Sequence, residues 1–255
     1  EGAMTGLGAP DAEWGPATVR AQSDGATLAV DLRPADTGAR ELAATLDGLD
    51  PVWWVQALSG YALLPGLSTR LAGTVTGRIA SGAQTADLAF DLAARPFQYG
   101  AFAVPEGEAL TIRGKAALGP GAARTVSGPE LEVRAGEQAS VVFRDWTLAL
   151  DDFAARAAVT GSFSLALLEP WVPGKDLRGD ITFQGPLTND RGIVSLPVEA
   201  VIEGLGYGGV SAPYSTPIEA RGRVFYDTLN RRGGVAKPTA SLGEGTTLTA
   251  DEWKL

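Results

Sequence analysis

Apolar and polar residues alternate along most of this chain with a period of two, the pattern of strands that bury one face and leave the other wet. Around residue 180 it is plain: Leu177, Gly179, Ile181 and Phe183 take one face, Arg178, Asp180, Thr182 and Gln184 the other. The same alternation predicts strands over Thr27–Arg33, Leu71–Ile79, Asp87–Ala93, Leu110–Leu118 and Glu130–Arg134. It runs on through Val141–Phe143 and Trp146–Leu150, with a slip of phase at Arg144 and Asp145 that predicts a bulge. Further strands are expected over Val159–Leu167, Leu177–Phe183, Ile193–Ile202 and Ile218–Tyr226. Turn residues cluster at Ala80–Gly82, Gly119–Gly121, Thr188–Gly192, Gly206–Gly209 and Arg231–Gly234.

One stretch reads as a helix. Over Asp50–Gly60, Asp50 suits the cap, Pro51 the first helical position and Gly60 the stop, while Val52, Val55 and Leu58 share a face with one of Trp53 and Trp54. A short turn at Glu169–Val172, which contains Trp171, is its truncated counterpart. Both Trp-Pro segments precede an amphipathic strand, so they are expected to cap or cross a fresh run of sheet. Gly73, Gly114, Gly161, Gly179 and Gly222 sit inside alternating runs on the apolar side. Interior glycines weaken a strand but let a sheet bend and let a neighbour come close. The expectation is an all-β, curled antiparallel sheet with one or two short helices, in two loosely similar units at about 50–150 and 153–226. The leading residues 1–4, EGAM, read as an expression scar.

Composition narrows the chemistry. The 255 residues carry a net charge of −9, and no run of six like charges appears, which disfavours nucleic acid and anionic membrane surfaces as partners. Arginine outnumbers lysine 17 to 4 in an alanine-rich chain, a bias expected of a GC-rich genome. There is no cysteine and no histidine, which excludes disulfides, thiolate nucleophiles, ordinary zinc sites and His-based acid–base chemistry. No apolar run reaches the length of a membrane-spanning helix.

Carboxylate pairs are the remaining catalytic possibility: Asp151 with Asp152, Asp11 with Glu13, Asp251 with Glu252. Asp151 and Asp152 follow a strand directly and read as a turn. With Asp145 they lack the spacing of a calcium loop. The GYGG of 206–209 and the GPG of 119–121 lack the Lys-Ser/Thr and strand-to-helix setting of a phosphate cradle. Trp14, Trp53, Trp54, Trp146, Trp171 and Trp253 border apolar runs, as core or end plugs do; a sugar-binding platform is the other reading. Arg113, Arg178 and Arg221, each ahead of a glycine, are expected to face solvent and protect sheet edges, with lipid headgroups as the alternative contact. The residues themselves point to no enzyme, cofactor or metal.

The run LAGTVTGRI at Leu71–Ile79, echoed as LRGDITFQG at Leu177–Gly185, each behind an apolar Trp/Leu/Pro segment, resembles the AsmA-like family of Gram-negative envelope proteins, the TamB and YdbH group. The resemblance covers about half the chain. It implies an open β-groove, a half-barrel with an apolar inside, cut from a larger periplasmic protein anchored in the inner membrane. It further implies phospholipid or another acyl-chain lipid as cargo in transfer between inner and outer membranes. The partners implied are neighbouring segments of the parent chain and membrane proteins at either end. The groove would be lined by Leu71, Val75, Ile79, Leu88, Phe90, Leu92, Leu110, Ile112, Leu148, Val159, Phe163, Leu165, Leu177, Ile181 and Phe183. Trp53, Trp54 and Trp171 would close its ends. A cell-surface carbohydrate- or protein-binding β-sandwich is the alternative, and an inverting glycoside hydrolase a third.

Overall fold

The computed structural model describes residues 2–5, 16–23, 25–35, 38–51, 67–80, 85–100, 102–119, 125–171, 176–190, 192–212, 216–227, 230, 232–243 and 245–254. They form two compact units, 1–136 and 137–255. The first holds β1 (Gly2–Thr5), β2 (Ala17–Ser23), β3 (Ala26–Pro34), β4 (Ala39–Leu49), β5 (Leu67–Ala80), β6 (Thr85–Tyr99), β7 (Phe102–Ala103), β8 (Leu110–Leu118) and β9 (Thr125–Ala135). The second holds β10 (Ala139–Ala149), β11 (Ala155–Ser164), a 3-10 segment (Leu165–Trp171), β12 (Arg178–Asp190), β13 (Ile193–Tyr207), β14 (Val210–Ser211), β15 (Ile218–Asp227), β16 (Arg232–Leu242), β17 (Thr246–Thr249) and β18 (Glu252–Lys254).

Each unit is an antiparallel meander in which the long strands pair with their neighbours in sequence. Among the described residues, the first and last strands of a unit do not pair with each other, so neither unit closes into a barrel. The fold is therefore all-β, an open curled antiparallel sheet, as the alternation predicts.

Curl has a visible cause in the glycines. Gly73 of β5 lies at φ 142°, where a Cβ would collide with the Asp91 carbonyl oxygen of β6. A Cβ normally stands off the sheet, so one aimed at the neighbouring strand marks a backbone rolled out of the flat pleat. Bulges add to it at Leu46/Leu49, Thr69/Leu71 and Gly114/Ala117. The bulge expected near Arg144 is present, with Asp145 at φ 49°.

Three expectations need correction. The run at Val159–Leu167 does not stay extended: β11 ends at Ser164, and Leu165 turns inward at the head of the 3-10 segment, 5% exposed. Leu177 lies just ahead of β12 rather than in it. Ala80, Gly206, Tyr207 and residues 188–190 and 232–234, expected as turns, belong to strands. The helix expected at Asp50–Gly60 lies, beyond Pro51, outside the described residues, and Trp53 and Trp54 with it.

Candidate functional site

The register places one apolar face along each sheet. In the first unit Val19, Val30, Ala44, Val75, Phe90, Gly114 and Leu131 stand opposite one another in turn, a row that crosses β2 to β9. Ala21, Leu28, Leu46, Gly73, Leu92, Ile112 and Val133 make the adjacent row. Directly opposed residues share a face, so Leu71, Val75, Ile79, Leu88, Phe90, Leu92, Leu110 and Ile112 all lie on this side, and all are half-buried. In the second unit Val141, Gly161, Phe183, Ala200, Ala220, Ala240 and Leu248 form the corresponding row. Ala139, Phe163, Ile181, Ile202, Ile218 and Leu242 lie beside it. Val159 and Leu148 share that face; Val159 is buried and Leu148 half-buried.

This surface is apolar but not sealed. Among the described residues no large side chain is fully buried, and four of the ten core residues, Leu49, Val104, Val159 and Leu165, are larger than alanine. A sandwich of this size interdigitates the inner faces of two sheets and removes such side chains from water. Among the described residues every strand belongs to one sheet, with no separate second sheet.

Two phenylalanines organise the face. Phe90 stands opposite Gly114, and a Cβ on that glycine would lie 3.1 Å from the ring. Phe183 stands opposite Gly161 in the same relation at 2.5 Å, and its ring meets Phe163 edge-on at 6.1 Å. Each ring covers the strand that lacks a side chain, so these two glycines are seats for aromatic rings. Gly222 seats no aromatic ring; a Cβ there would sit 2.9 Å from the Val235 side chain.

The opposite face carries polar rows: Thr45, Thr74, Asp91, Arg113 and Glu132 in the first unit, Thr160, Gln184, Glu199, Arg221 and Thr239 in the second. Arg113 Nε donates to Asp91 Oδ1 at 2.9 Å, Arg178 pairs with Asp176 at 2.6 Å, and Arg221 approaches Glu199 at 3.6 Å. The Arg113 guanidinium is held above its ordinary pKa by that hydrogen bond and then by the Asp91 charge; Asp176 does the same for Arg178. These arginines face solvent as expected. They sit on interior strands beside acidic partners, however, and so do not protect sheet edges.

Asp151 and Asp152 form the exposed turn after β10, where Asp152 Oδ1 accepts the Ala154 amide. Asp11 and Glu13 lie outside the described residues, and Asp251 and Glu252 are exposed. Among the described residues no group of three or more Asp or Glu is placed to hold a metal ion. Trp171 ends the 3-10 segment. Sequence reasoning missed Leu42 and Leu46 of β4, whose place on the apolar face follows from their pairing with Gly77 and Gly73. No protein-family model, curated protein or solved structure matches the chain.

Proposed function

We propose that this chain is a non-enzymatic lipid-binding segment of an AsmA-like envelope protein. In this reading it works in the periplasm of a Gram-negative bacterium, within a parent anchored in the inner membrane. It offers its apolar faces to the acyl chains of phospholipid moving between the two membranes. The observation that carries the reading is the continuous apolar face of each unit, half-exposed along its rows and bordered by a charged reverse side. Burying an acyl chain contributes about 0.8 kcal/mol per CH2, so a lipid tail laid along such a row is a stabilising cover. No bond is made or broken; the face replaces water around the tail.

Two measurements test it. Protein purified from a bacterial host without detergent should retain phospholipid, seen by native mass spectrometry and by extraction with thin-layer chromatography. Clean apoprotein would count against the reading. Phe90→Asp and Ile112→Asp should each give a folded chain, by circular dichroism, that holds no lipid. In a sealed core the same unpaired carboxylate costs several kcal/mol, comparable with the stability of a domain, and the variants would unfold.

A further inference from the structure

Three interruptions of the ladder in the second unit fall on one line. Following the register across the sheet, Arg144 faces Ala158, Ala158 faces Pro186, Pro197 faces Arg223, and Arg223 faces Ala236. Between β12 and β13 the pairing of Gln184 with Glu199 resumes at Thr188 with Ser195, with no slip between them. Counting inward from either side, Pro186 and Pro197 stand directly opposite each other. Along the same line, β10 bulges between Arg144 and Thr147. The β15–β16 pair bulges between Arg221 and Arg223, and Lys237 of β16 lies at φ 49°.

Proline has no N–H to give, and within sheets it belongs on edges, at strand starts or at bulges. Here two prolines oppose each other on interior strands. In an antiparallel ladder every second opposed pair exchanges two N–H···O bonds. Two prolines at such a pair delete both bonds and break the pairing at three successive positions, 185 to 187 against 196 to 198. That is the gap observed, whereas prolines at the other kind of pair would leave the ladder whole. The carbonyl oxygens of Pro186 and Pro197 therefore lack their ladder donors. The defect coincides with open space: hollows of about 460 and 630 Å3 share Thr160, Gln184, Glu199 and Arg221, and the larger takes in Pro186 and Pro197. The neighbouring row adds Gly185 and Gly222, which carry no side chains.

We infer that the line Arg144, Ala158, Pro186, Pro197, Arg223, Ala236 is a transverse crease about which the strands of this unit flex. The two margins of its sheet then move as flaps on either side of the apolar face. The crease is a property of the backbone and stands whether or not that face carries lipid.

Residue-resolved amide exchange on the whole chain tests it. Gln184, Thr188, Ser195 and Glu199, whose amides bond across β12–β13 beside the gap, should exchange at least about 10-fold faster than Thr182 and Val201, an equivalent pair further along the same strands. The double variant Pro186→Thr/Pro197→Val returns the missing donors. It should slow the first four amides by about 10-fold and leave Thr182 and Val201 unchanged. Wild-type exchange equally slow at all six amides would overturn the crease. So would a variant that slows all six alike, since that is global stabilisation. If the double variant does not fold, the wild-type rates alone decide.

Discussion

Gly161 has a phenylalanine ring where its side chain would be. A Cβ there would lie 2.5 Å from Phe183 and 3.0 Å from the Ser140 carbonyl oxygen, one side chain that can move and one backbone atom that cannot. Gly161→Ala should therefore destabilise the chain by roughly 1–3 kcal/mol, the usual penalty for overpacking. Shortening the ring with Phe183→Leu should recover part of that loss in a double-mutant cycle read by denaturant unfolding. Gly245→Ala is the control, since its Cβ meets nothing within 4 Å, and its effect should stay within about 0.5 kcal/mol. Additive losses in the cycle would mean that the ring is not what the glycine accommodates. Sequence showed that Gly73, Gly114, Gly161, Gly179 and Gly222 lie on the apolar side, but not what each makes room for. The reason is physical: phase is local, whereas the atom opposite a glycine depends on the register of a distant strand.

At the scale of the element, legibility followed side-chain size. Leu110–Leu118 and Ile218–Tyr226 were readable because three large apolar residues hold the same phase in each, Leu110, Ile112 and Leu118 in one and Ile218, Val224 and Tyr226 in the other. Ala39–Leu49 was not. Its leucines at 42, 46 and 49 are spaced as on a helix, and alanine is too small to mark the face between them, yet burial alternates from Arg40 to Gly48. Arg232–Leu242 was hidden by the glycines at its start, Gly233 and Gly234, which read as turn. The alternation at Val159–Leu167 misled in the other direction, since a period of two continues on paper past Ser164 while the chain turns into the 3-10 segment, which lies against β12. That turn makes Leu165 one of the few large core residues, at 5% exposure. Leu165→Ala should cost about 2–5 kcal/mol, and Leu148→Ala, on the half-buried face, distinctly less. Equal losses in the two unfolding midpoints would mean that the face around Leu148 is as well packed as the segment around Leu165.

Taken as a whole chain, the two units repeat one arrangement: a layer of antiparallel strands, apolar on one side and charged on the other, with aromatic rings seated on glycines. A layer so arranged leaves much of the hydrophobic stabilisation of its face unrealised until something apolar covers it. Any amphiphile that binds the folded chain and not the unfolded one then adds RT ln(1 + [L]/Kd), about 2.7 kcal/mol at a free concentration 100 times Kd. For a chain of this size that corresponds to a rise of roughly 5–10 °C in Tm. Delipidated protein should therefore melt lower than protein titrated with a short-chain phosphatidylglycerol or phosphatidylethanolamine below its micelle concentration, and the rise should saturate. It should also bind a hydrophobic dye that the lipid displaces. Phe90→Asp is the discriminating variant: folded, but with its phospholipid-induced rise in Tm reduced or lost, because a carboxylate in the central row of the first unit disfavours contact with an acyl chain. A melting temperature indifferent to phospholipid, with no dye binding, would mean that the apolar faces are already covered and that lipid is not what they hold.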